Sequence, residues 1–77
     1  MTKVFFTFGS SSRFPYTRGQ YVVAEGKDRR DAIKKFREKY PDKTPGVLNC
    51  ADYYSEQQFN SFRDEYYKGV EPAEIIR

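Results

Sequence analysis

The chain has 77 residues, with no histidine, no tryptophan, one cysteine, seven phenylalanines, seven tyrosines and a net charge of +3. Without imidazole no Ser–His or Cys–His pair can form, and one thiol cannot assemble a four-ligand zinc site. The composition predicts a protein that is not an enzyme and holds neither metal nor cofactor, which leaves aromatic and cationic surface as its working material.

Lys3-Val4-Phe5-Phe6-Thr7-Phe8 reads as a strand, with Val4, Phe6 and Phe8 on one face. Phe5 makes the other face partly apolar, so that it too can be covered. The connection from Gly9 to Gly19 is polar and exceeds the two to five residues usual in hairpins. Gln20 to Glu25 resumes strand character, and Gly26 breaks it. Asp28 is placed to cap a helix, with Asp31 as a capping-box partner. Ala32, Ile33, Phe36 and Tyr40 recur at helical spacing, and Pro41 ends that run. Val47 to Ala51 reads as a short third strand. Ser55 and Gln58 form a capping box for a second helix, whose Phe59, Phe62 and Tyr66 share a face. Gly69 suits the C′ position, and Pro72 opens one further turn that returns Ile75 and Ile76 to the body.

This order predicts an α+β fold: a single domain over residues 1–77, β-β-α-β-α. The expected sheet has three mainly antiparallel strands with both helices on one face. Val4, Phe6 and Phe8, or else the alternate face, are expected to meet Ile33, Phe36, Phe59 and Phe62 in the core, leaving the other face, with Phe5 and Tyr21, free for a partner. So short a chain buries only roughly 60% of its unfolded surface, and each Phe or Tyr covers about 150–250 Å². Fourteen such rings exceed the needs of one small core, so some tyrosines belong at the surface and a homodimer is expected. No run approaches the ~20 apolar residues of a membrane span. One cysteine and no export signal predict a reducing, cytoplasmic setting.

The charge is uneven. Residues 1–39 carry ten Lys/Arg against four Asp/Glu, and residues 40–77 carry four against seven. A chain polarised in this way can present its first half to an anionic partner.

Candidate chemistry is sparse. Cys50 has no imidazole to activate it and reads as a small buried residue. The carboxylate pairs Asp52/Glu56 and Asp64/Glu65 read as helix-terminal or solvated groups rather than as acid and base. Gly9-Ser10-Ser11-Ser12-Arg13 lacks the Gly-Lys-Ser/Thr ending of a phosphate loop, although it leaves open the binding of a small anion such as a nucleotide. Three other features point to binding. The long connection interleaves Arg13, Phe14, Tyr16 and Arg18, residue types that pair with anions and stack on rings. The first helix carries Lys27, Arg30, Lys34 and Arg37, a basic ridge suited to nucleic-acid phosphates. Tyr53 and Tyr54, like Tyr66 and Tyr67, are adjacent, so one of each pair must face outward, where tyrosine is enriched in interfaces.

The strand Val4-Phe5-Phe6-Thr7-Phe8-Gly9 with its F-T-F-G end, the strand Tyr21-Val22-Val23 and the helix from Asp28 to Phe36 resemble short proteins encoded by bacterial phages and other mobile elements. The resemblance covers about the first forty residues. It implies a non-enzymatic accessory factor in the cytoplasm of a bacterial host, a class that includes inhibitors of host defence such as anti-CRISPR proteins. It carries over no catalytic residue. The leading expectation is stoichiometric inhibition of a host protein or protein–nucleic-acid complex, with Arg13, Phe14, Tyr16, Arg18, Tyr53 and Tyr54 as contacts. The alternative is a nucleic-acid-binding domain that uses Lys27, Arg30, Lys34 and Arg37, with Phe14 or Tyr16 stacking on bases.

Overall fold

In the computed structural model, which describes residues 1–77, six elements follow one another. They are strand β1 (Thr2–Thr7), strand β2 (Tyr21–Gly26), helix α1 (Arg29–Lys39), strand β3 (Asp52–Ser55), helix α2 (Glu56–Tyr66) and strand β4 (Glu74–Ile76). The sheet has four strands in the order β3-β1-β2-β4. β1 runs antiparallel to both β2 and β3, whereas β4 joins the outer side of β2 in parallel. The α+β class expected from the sequence therefore holds, but the sheet is four-stranded and mixed.

Alternation along β1 and β2 sets the layers. Val4, Phe6, Phe8, Val22 and Ala24 point to one side and meet Ala32 and Phe36 of α1. Phe5, Tyr21 and Val23 point to the other and meet Phe59 of α2 and the following Tyr67. The helices thus lie on opposite faces, not on one. The face expected to stay free is closed: Phe5 is 4% exposed and Tyr21 is fully buried. A strand apolar on both faces is a central strand covered twice, and β1 and β2 fit that description.

Stacked rings fasten each layer. Phe6 lies 3.9 Å from Phe36 between centroids, and Phe5 lies 4.5 Å from Phe59. Offset pairs of this kind add about 0.5–1.5 kcal/mol each beyond the area they bury. The Tyr21 hydroxyl is satisfied in the α2 core, donating to the Val70 carbonyl at 2.9 Å and accepting from Arg63 at 2.8 Å.

The helix starts follow their local signals. Asp28 accepts from the Asp31 amide, and Asp31 accepts from the Lys27 amide, both at 2.8 Å. Ser55 and Gln58 complete the capping box. Gly26 must be glycine for a packing reason, since a Cβ there would come within 2.5 Å of the Ala32 nitrogen.

Two further expectations change. Val47 to Ala51 is not a strand; Val47 bridges back to Thr44, and the true third strand begins at Asp52. The segment after Pro72 is not a helical turn but β4. The Ala73 amide donates to the Tyr21 carbonyl, and Ile76 packs against the α1-side core. The unpaired outer edge of β2 offers ladder partners that an isolated turn lacks.

Candidate functional site: a cationic groove beside α1

The α1 helix lies over β1 and β2, and the part of that sheet face above β3 is left without a helix. A helix with its side chains is about 10–12 Å wide, and strands lie about 4.8 Å apart. One helix therefore covers roughly half of a four-stranded face. On the β3 side of the helix lies a groove of about 890 Å³, bounded by α1 on one side and by the chain from Gly46 to Tyr53 on the other.

Five α1 residues line it: Arg29, Arg30, Ile33, Lys34 and Arg37. They belong to one helical face, because 29, 33 and 37 follow i, i+4, i+8 while 30 and 34 follow i, i+4. Ile33 and Leu48, both packed on the core, form an apolar base. Val47 stands at its edge, 53% exposed. The lining holds four cations and a single carboxylate, Asp52.

These cations differ in their partners. Arg37 is bound to Asp42, its Nε donating to both carboxylate oxygens at 3.1 and 3.2 Å. Arg29 lies over the Tyr53 ring, 5.3 Å from its centroid. Arg30 and Lys34 are exposed and engage no carboxylate within ion-pair distance. They are the free positive charges of the groove.

Of the ridge expected from the sequence, Arg30, Lys34 and Arg37 share the groove. Lys27 does not; it precedes the cap residue Asp28 and so lies outside the helical register. Arg29 was missed. The signal was present, since a helix capped at Asp28 places Arg29 one turn before Ile33 on the same face.

The long connection behaves differently. Phe14 and Tyr16 are half-buried and fold back onto Phe8, with centroids 6.3 and 5.5 Å away. The Tyr16 hydroxyl meets that of Tyr40 at 3.2 Å and donates to Glu74 at 3.4 Å. Tyr40 also bonds Glu74, and Lys39 pairs with it. The Tyr16 hydroxyl pKa is raised, chiefly by the bond to Tyr40. Lys43 donates to the Arg13 carbonyl, tying the connection to the loop after α1. Arg13 and Arg18 remain exposed and outside any ion pair. The two aromatic residues of this loop are thus part of the fold's packing, and its two arginines are at the surface.

Tyr53 and Tyr54 do not form one patch. Successive strand residues point to opposite faces, so Tyr53 lies on the α1 side near Phe6, and Tyr54 sits edge-on to Phe62 on the α2 side. Tyr53 is 39% exposed and lines the groove, whereas Tyr54 is half-buried. Tyr66 and Tyr67 divide as expected, with Tyr66 outward and Tyr67 inward.

Cys50 also lines the groove, yet burial, with help from the nearby Asp52 charge, pushes its thiol up to about 12. It is a poor nucleophile there. No group of three or more Cys, Asp and Glu side chains is gathered as a metal-ligand set. No helix is long and apolar enough to cross a membrane. No family model, curated protein or solved structure matches the chain.

Proposed function

We propose that this protein is a stoichiometric binding protein that occupies a macromolecular partner through the cationic groove beside α1. The observation that carries this reading is the convergence of Arg29, Arg30, Lys34 and Arg37 on one side of an open groove with one opposing carboxylate. Like charges gathered in this way repel one another and are relieved by an anionic partner, which they also steer toward the site. An accessory factor of the phage or mobile-element kind, one that blocks a host protein machine by covering its acidic surface, acts in this manner.

The test is a pull-down from nuclease-treated bacterial lysate with the wild-type protein and with the double variant Arg30→Glu/Lys34→Glu. Both positions are exposed, so the variant retains the fold. A defined protein is expected with the wild type and lost with the variant. A partner retained by the variant would place the binding surface elsewhere.

A second reading has its own observation. Tyr53 is an exposed ring that lines the same groove as Arg30 and Lys34, and aromatics in a cationic groove are the pattern of single-stranded nucleic-acid binding. On this reading the nuclease treatment removes the bound material, and affinity falls steeply with salt.

A further inference from the structure

Resting on the groove as the binding surface, we infer that its occupant is an acidic amphipathic helix, presented by a partner protein, that completes the layer α1 leaves half-built. Three observations point to this occupant. The first is geometric: α1 covers β1 and β2 and leaves the β3 edge open beside it, so an element seated there lies alongside α1. The α1 helix has 11 residues, or about 16 Å at 1.5 Å per residue, which matches roughly three turns of a partner helix.

The second is the apolar lining of the groove. Ile33 and Leu48 at its base and Val47 at its edge are aliphatic. Such residues offer nothing to a phosphate backbone, but they receive the Leu, Ile or Phe anchors that a helix presents at i, i+3, i+4 and i+7. The third is charge. Arg30 and Lys34 flank that base without carboxylate partners, so they complement Asp or Glu residues bordering the apolar stripe of the incoming helix. An interface with an apolar centre and a charged rim is the usual protein–protein arrangement.

The same details disfavour a nucleic-acid strand as the occupant. Base stacking needs an open ring face. Tyr53 has Arg29 over its ring and Phe6 nearby, at 6.2 Å between centroids. The face under Arg29 is therefore already occupied.

The experiment is selection of a displayed library of random sixteen-residue peptides on the purified protein. Enriched sequences are expected to carry an excess of Asp and Glu with apolar residues at helical spacing. Their affinity is expected to fall at least about tenfold for Arg30→Glu/Lys34→Glu, a change carried by rim charge. A similar fall is expected for Val47→Asp, which places a negative charge at the apolar edge of the groove. Circular dichroism and thermal melting confirm that both variants fold.

Enrichment of peptides without acidic excess, affinity unchanged in both variants, or an oligothymidylate that outcompetes every selected peptide would each overturn the inference. The two proposals fail separately. A lysate protein lost on charge reversal, with no acidic helix selected, removes the helix and leaves the binding function. Acidic helices selected at the groove, with a lysate partner indifferent to charge reversal, do the opposite.

Discussion

Cys50 shows how one residue's setting decides its chemistry. It is the only thiol in the chain, and it lies at the groove, where a reactive cysteine would be easy to imagine. Burial raises its pKa from 9.0 to about 12, so near neutral pH it is protonated and inert. Linkage gives this a sign. The folded state keeps a proton that the unfolded chain releases, so the contribution is fully present below pH 9.0 and is lost as pH rises toward about 12. The Tyr54 and Tyr67 hydroxyls, raised mainly by burial, and that of Tyr16, raised mainly by its bond to Tyr40, act in the same direction. Urea unfolding across the alkaline range should show stability declining above about pH 9, with a shallower decline in Cys50→Ala. An identical pH profile for that variant would contradict the assignment. The burial of Cys50 was legible in the sequence, where it stands as a small residue in a largely apolar run.

At the scale of elements, the first strand, the second strand, both helices and both helix caps were legible, because each rests on local chemistry. Asp28 and Ser55 cap where capping residues must, and Pro41 stops α1. Which face each helix takes was not legible in the same way. The apolar Phe5 on the second face of β1 was a visible hint, but the choice of layer depends on how far the chain can cross between α1 and α2, which periodicity does not encode. Once the helices separate, the fourteen rings divide between two cores, and few remain for an interface. β4 was missed because three residues with one outward isoleucine carry almost no strand signal; an available edge on β2 recruits them.

That short strand is held by side chains as well as by its ladder. The Glu74 carboxylate accepts from Tyr16 and Tyr40 and pairs with Lys39, tying β4, the long loop and the end of α1 together. Replacing Glu74 by alanine should cost about 1.5–3 kcal/mol, the range for hydrogen bonds to a charged group. Amide exchange should quicken over residues 73–76 and 10–18 while β1 stays protected. Unchanged exchange in those two segments would show that the cluster does not fasten them.

For the molecule as a whole, the uneven charge of the sequence becomes a charge difference across the sheet. α1 carries six Lys/Arg against two Asp/Glu, and α2 carries one against three. Because the helices occupy opposite faces, one side is cationic and the other acidic. The candidate site was therefore half legible. The basic ridge was visible as a spacing, but the groove beside it forms only because α1 sits over β1 and β2 and leaves the β3 edge uncovered. The arginine–aromatic loop, prominent in the sequence, invests Phe14 and Tyr16 in packing, which no linear pattern distinguishes from display. The most direct measurement is an amide chemical-shift titration of the labelled protein with its recovered partner. Shifts confined to residues 29–37 and 46–53 are the predicted result; shifts centred on residues 10–18 or on α2, with the groove unmoved, would contradict it.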